Sequence, residues 1–215
     1  MKKNIFLLVI ILVLAPLAYA FYMYPNLPET IPTHYGVNGA DQWGSKENVF
    51  LIPGIMGLVS IVVFLLMSNL KRIDPKRYAK TDNEVFSQFG LFIVAFLSCL
   101  SMIILYKTNQ DKIPIEKIML PGLGLFFSGI GFFLPKLKQN YFAGFRLPWT
   151  LESEANWDAT HLYAGKILKW GGLIQLFSGV LFEGKMLIVA FVAITIVMVA
   201  LPIIFSYRMF RDGMK

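Results

Sequence analysis

A single cysteine, Cys99, occurs in 215 residues and lies in an apolar run, which excludes disulfides and thiolate metal sites within one chain. Charge is also scarce: 15% of residues are charged, against about 25% in soluble domains. There are only two histidines, His34 and His161. The sequence contains no Walker loop, HExxH, GxSxG or paired carboxylates, so the familiar enzyme classes are not in sight. No Asp, Glu, Lys, Arg or His stands in the middle of an apolar run, where proton relays and ion pathways place them. That argues against proton-coupled transport and leaves Gln88, near a run's end, and Gln175, deep in one, as the polar exceptions. No long repeat or low-complexity segment is visible.

What the chain does have is apolar length. It is 56% hydrophobic with a mean hydropathy of +0.61. Apolar runs extend over about Asn4 to Met23, Val49 to Asn69, Phe86 to Tyr106, Ile115 to Leu134, Ile167 to Phe182 and Met186 to Tyr207. Each approaches the ~20 residues that cross a bilayer as a helix. The expected fold is an all-α integral membrane protein of about six transmembrane helices, with Pro53, Pro121 and Pro202 tolerated inside them. Ala18-Tyr19-Ala20 resembles a signal-peptidase site, but the first run is long and continues through Phe21, Tyr22 and Met23, which favours an uncleaved anchor.

Lysine and arginine set the expected orientation. With the N-terminus inside, about 15 of the 20 basic residues fall in the cytoplasm, among them Lys71, Arg72, Lys76, Arg77, Lys80, Lys136, Lys138 and Arg146. The net charge of +7 is then a topological signal, and no direct nucleic-acid binding is expected. Both termini are placed in the cytoplasm of a multi-pass cell-membrane protein. Residues 1–69 form a two-helix unit whose loop 25–48 faces outward. Residues 70–215 form a four-helix region with a cytoplasmic loop at 135–166.

The outward segment is organised by prolines and a turn. Pro28 and Pro32 keep the chain extended, and Ile31 to Tyr35 suits a short strand. Asn38-Gly39 is a strong two-residue hairpin signal, with Ala40 to Trp43 as the return strand ended by Gly44. A lone hairpin is marginal in water, so it should pack on the outer helix ends. His34, Asp41 and Lys46 could converge across it, either as a catalytic or metal site or, with better support, as a polar cap or partner-recognition surface. No two-histidine metal site is available, because His161 belongs to the other side.

The longest polar interval runs from Asn140 to Lys169. Pro148 forces Leu147 to be extended, so Gly144-Phe145-Arg146-Leu147-Pro148 is a turn. Thr150 suits an N-cap, with Glu152 and Glu154 in the first helical turn. Trp157, His161, Ala164 and Leu168 then recur at helical spacing into the next apolar run. Arg146 needs an acidic or carbonyl partner, and Glu154 is the candidate by position. A guanidinium also suits a phosphate or lipid headgroup, while Trp149 and Trp157 suit the interfacial belt.

Two blocks carry a family resemblance. One is Leu27-Pro28-x-x-Ile31-Pro32-x-His34-x-Gly36-x-x-Gly39-x-Asp41-x-Trp43-Gly44-Ser45-Lys46. The other is Asn140-x-x-x-Gly144-x-Arg146-x-Pro148-Trp149-Thr150-Leu151-x-x-Glu154-x-x-Trp157. The first resembles an N-terminal domain of unknown function, and the second resembles the signature of the SdpI toxin-immunity family; Leu147 departs from it, where a small polar residue is expected.

That resemblance implies a non-enzymatic membrane immunity protein that protects a bacterial cell from a secreted, membrane-active toxin peptide. It also implies signalling, by sequestering a cytoplasmic transcriptional repressor at the membrane. It further implies that His34, Tyr35, Gly39, Asp41, Trp43 and Lys46 recognise the toxin or a partner outside. Asn140, Gly144, Arg146, Pro148, Trp149, Thr150, Glu154 and Trp157 would form the cytoplasmic signature loop. No cofactor and no metal are implied, and the bilayer is the remaining partner. The rivals are an uncharacterised membrane enzyme, for which only His34 with Asp41 qualifies, and a small-molecule permease, for which the spans lack polar lining.

Overall fold

The structure is a computed structural model and describes residues 3–36, 39–73, 83–109 and 114–213. It is helical apart from one hairpin. Helix α1 (Lys3–Met23) leads through a 3-10 turn (Tyr24–Asn26) to strands β1 (Thr30–Gly36) and β2 (Gly39–Ser45). A second 3-10 turn (Lys46–Phe50) opens α2 (Leu51–Ile73), followed by α3 (Asn83–Asn109) and α4 (Glu116–Phe133). A short α5 (Pro148–Glu152) precedes the two longest helices, α6 (Glu154–Leu181) and α7 (Gly184–Arg211). Lys76, Arg77 and Lys80, part of the basic loop expected after the second span, lie outside the described residues, as does Asn38 of the turn.

Five of these helical segments are long and apolar enough to cross a membrane: Asn4–Asn26, Lys46–Leu70, Glu84–Thr108, Glu116–Lys136 and Gly184–Arg211. The chain is therefore an all-α integral membrane protein. Their exposed surface is itself aliphatic, as Leu7, Ile11 and Leu14 on α1 and Val189, Ile196 and Val197 on α7 illustrate. Helices apolar on every side suit a lipid solvent. Helix α6 falls short of the same criterion. Its 28 residues span ~42 Å at the helical rise, but its first sixteen residues include Asp158, Lys166 and Lys169.

The chain divides into two compact units. The first comprises residues 1–69 and 87–119. Here α1, α2 and α3 meet through Val9, Phe64 and Val94, all buried. The Ser98 hydroxyl on α3 donates to the Leu12 carbonyl on α1 at 2.6 Å, a bond well suited to helix association away from water. A second cluster, Ala20, Met23, Leu27, Ile31, Val49 and Leu105, seats the hairpin on the ends of α1, α2 and α3. The hairpin thus packs on helix ends, as its marginal stability requires.

The second unit comprises residues 70–86 and 120–215. Its α4 and α6 approach so closely that only glycine fits between them. A Cβ on Gly124 would stand 2.7 Å from the Gly172 carbonyl, and one on Gly131 would stand 2.7 Å from that of Gly165. Gly124 and Gly131, and Gly165, Gly172 and Gly179, recur every seven residues and so stay on the contact line. Between α6 and α7 the fully buried Gln175 donates from Nε2 to the Phe191 carbonyl (3.1 Å) and the Thr195 hydroxyl (2.8 Å).

Candidate functional site

Each unit carries one of the two motif blocks. In the first unit β1 and β2 pair antiparallel, with Ile31 opposite Gly44 and Pro32 opposite Trp43. The register slips around His34, where a bulge lets the His34 side chain reach Asp41 across the strands. Their Nδ1 and Oδ1 atoms are 2.6 Å apart, and both side chains are more than half exposed. Gly39 has φ +107°, which other residues rarely adopt, so the turn at this position depends on glycine.

Lys46 does not join that pair, contrary to the convergence expected from the sequence. Its ammonium meets Glu29 at 2.8 Å while its backbone N–H donates to the Glu29 carbonyl at 3.0 Å. Lys46 therefore clamps the base of the hairpin, where the chain enters β1 and leaves β2. Trp43 is largely exposed, and Tyr35 is half-buried, with the ammonium of the buried Lys107 5.8 Å from its ring centre. Beneath β1 lies a cavity of about 280 Å³ with mostly apolar walls, including Ile31, Tyr35, Ile52, Leu105 and Met119; His34 and Thr108 add polar groups.

In the second unit the loop from Lys138 to Leu147 is folded around Asn140, which is fully buried. Its Oδ1 accepts from the backbone N–H groups of Phe142 (2.8 Å) and Ala143 (2.7 Å). Its amide donates to the Lys138 (2.8 Å) and Ala143 (3.0 Å) carbonyls. One side chain thus stands in for four backbone partners that a loop lacks. Gly144 follows at φ +118°, and any Cβ there would collide with the His161 ring.

His161 is the second anchor. Its ring is buried, Nδ1 is 2.8 Å from the Trp157 carbonyl, and Nε2 accepts from the Phe145 backbone N–H at 3.0 Å. Those partners require the neutral Nδ1–H tautomer. Burial pushes its pKa down to about 4; the bond to the Trp157 carbonyl and the nearby Asp158 partly oppose this. Trp157 stacks on the same ring with centroids 3.9 Å apart and donates from its indole to the Leu137 carbonyl at 2.8 Å. Fully buried, Trp157 is a core residue and not part of an interfacial belt.

Three further local expectations are corrected. Thr150 is not an N-cap: it is the third residue of α5, and its hydroxyl accepts from the Leu147 N–H at 2.9 Å and lies 2.7 Å from the Phe145 carbonyl. The N-cap of α6 is Ser153, whose hydroxyl accepts from Asn156 N–H at 3.2 Å. Its extended backbone (φ −128°, ψ 116°) breaks the single helix expected here into α5 and α6. Arg146 donates to the Tyr141 carbonyl at 2.6 Å instead of pairing with Glu154, so its partner is the loop itself.

Sequence reasoning overlooked the link from this loop to α7. The Trp149 indole donates to the Ser206 hydroxyl, and its ring packs on Tyr207 and Phe210. The fully buried Asn156 donates to the Ser206 carbonyl at 3.0 Å and accepts from Thr160 at 2.9 Å. Asn156 and Thr160 share the helical face of Trp157, His161 and Ala164, so polar residues on an otherwise apolar face were the available signal. Buried scaffold (Asn140, Thr150, Asn156, Trp157, His161) and exposed surface (Tyr141, Arg146, Pro148, Glu154) are thereby separated within one motif.

These features define a multi-pass membrane protein with a structured hairpin and a hydrogen-bonded polar loop. Residues 136–206 match the SdpI/YfhL protein family, and residues 11–57 match a domain of unknown function (DUF1648). The chain is 26% identical over 214 residues to the immunity protein SdpI of Bacillus subtilis (strain 168), covering 98% of this chain and 97% of that protein. It is 32% identical over 66 residues to an uncharacterized protein of Archaeoglobus fulgidus, covering 30% of this chain and 36% of the relative. No solved structure matches it. Residues 136–206 thus carry the SdpI-family match, and the similarity to the immunity protein extends beyond them along nearly the whole chain.

Proposed function

We propose that the protein is a non-enzymatic immunity protein that protects its cell from a secreted, membrane-active toxin peptide. The observation that carries this is similarity to an immunity protein along nearly the whole chain, spanning both the hairpin block and the loop block. Six spans with both termini in the cytoplasm fit it, with α6 as the sixth. The basic residues Lys136, Lys138, Arg146, Lys166 and Lys169 then lie inside and the hairpin outside.

Toxin recognition falls to the exposed face of the hairpin, where Trp43, His34 and Asp41 are accessible, together with the apolar cavity under β1. An apolar side chain of a membrane-active peptide suits that cavity, and Tyr35 with Lys107 offers a ring and a cation beside it. On the cytoplasmic side the exposed Arg146, Pro148 and Glu154 form the surface a repressor would meet, held rigid by the Asn140 and His161 networks.

The test combines topology and protection. A cysteine at Asn38 should react with an impermeant thiol reagent in intact cells, and one at the exposed Glu152 should not. Trp43→Ala should lose toxin resistance while still inserting. Labelling only at Glu152 refutes the orientation; full resistance of the Trp43 variant, and of Tyr35→Ala beside it, refutes hairpin recognition.

A further inference from the structure

Along the α6–α7 contact runs a groove of about 440 Å³ whose walls are apolar except at one end. Ile174 and Ala193 line the far end, Trp170 and Val197 the middle, and Lys166 and Leu201 the near end. From Lys166 to Ile174 the helical rise is ~12 Å, so the groove is a channel along the helix pair and not a local dimple. Its floor exists because Gly171 has no side chain: a Cβ there would collide with the buried Met198 of α7. Trp170, Ile174 and Val197 are each more than half exposed.

Charge is confined to the near end. Lys166 is exposed there, and the Lys169 ammonium lies 5.7 Å from the centre of the Trp170 ring. A lysine at one mouth of an apolar channel, with a second lysine beside the tryptophan one turn further on, is complementary to an amphiphile with an anionic head and a single long tail direction. Basic residues flanking a span attract anionic lipids, and tryptophan settles at headgroup level. We infer that the groove holds one acyl chain of an anionic phospholipid, with its phosphate against Lys166 and Lys169. The inference rests on α6 crossing the membrane as proposed above, but not on the immunity function.

The full chain, purified in detergent, is titrated with phosphatidylglycerol and with phosphatidylcholine of the same acyl chains, and bound lipid is counted by native mass spectrometry. Phosphatidylglycerol should bind more tightly. Each lysine near a charged surface contributes roughly fivefold in affinity, so Lys166→Gln with Lys169→Gln should weaken phosphatidylglycerol about thirtyfold and leave phosphatidylcholine unchanged. Ala193→Trp, at an exposed position that disturbs no packing, should weaken both lipids by filling the channel. Equal binding of the two lipids, or a double variant that keeps the preference, overturns the proposal.

Release of phosphatidylglycerol by millimolar inorganic phosphate would also overturn it, by assigning a free-anion site. So would a photoreactive residue at Ala193 that crosslinks in membranes to a polypeptide and not to lipid. Impermeant labelling of a cysteine at the helix end, Phe182, reports separately whether α6 crosses. Labelling there with loss of lipid preference would sink the lipid site alone.

Discussion

Acidification should loosen the Asn140 loop through His161, and the size of the effect follows from its surroundings. The ring sits in the first turns of α6, ahead of the apolar part that starts at Ile167, and both its nitrogens are committed as a neutral ring. In the unfolded chain its pKa is 6.5, and in the folded protein it is about 4. Between those values the unfolded chain binds the extra proton, so folding stability falls as pH drops through that window. Each pH unit removes about 1.4 kcal/mol, which makes the whole window worth about 3 kcal/mol. Protonation would also turn Nε2 from acceptor to donor and set it against the Phe145 N–H.

The assay is thermal unfolding of the detergent-solubilised protein, followed by tryptophan fluorescence from pH 7.5 to 4.5, for the wild type and His161→Gln. The glutamine has a donor and an acceptor but does not titrate. Its melting point should start lower and then decline less with acid, and the gap between the two curves should close by several degrees. The two proteins differ only at this side chain, so every other effect of pH cancels in the comparison. Parallel curves would refute the neutral buried histidine and the hydrogen-bond scheme built on it.

Other perturbations separate scaffold from surface. Gly39→Val should break the hairpin through its φ of +107° alone, since nothing lies within 4 Å of a Cβ there; lost toxin protection with normal insertion is expected. Arg146→Lys should change stability by no more than about 1 kcal/mol, because an exposed single bond to the Tyr141 carbonyl is replaceable, and a double-mutant cycle with Glu154→Ala should show no coupling. Asn140→Ala should be more damaging, about 3 kcal/mol or more, since four backbone groups lose their partner; thermal melts of the variant measure it. Gly172→Val should prevent α4 and α6 from packing and leave the protein misfolded in detergent, as size-exclusion profiles would show.

The family resemblance, the apolar helices and the hairpin were legible in the sequence because their signals are local. Runs of about twenty apolar residues suit only a bilayer, Asn38-Gly39 marks a turn, and Trp157, His161, Ala164 and Leu168 mark one buried helical face. These depend on spacing along the chain. Partner choice does not, and there the tertiary structure decided. Arg146 found the Tyr141 carbonyl because the loop curls around Asn140 and brings that carbonyl nearer than Glu154. Lys46 was taken by Glu29, since strand pairing sets the two at the base of the hairpin while the bulge at His34 aims the ring at Asp41. Ser153 displaced Thr150 as the cap once Thr150 was committed to the turn at Leu147. Ser206, at the far end of the chain, became the anchor of Trp149 and Asn156 only when α7 packed beside α6. Sequence determines which residues can bond; which of them do is fixed by distances that exist only after the helices have packed.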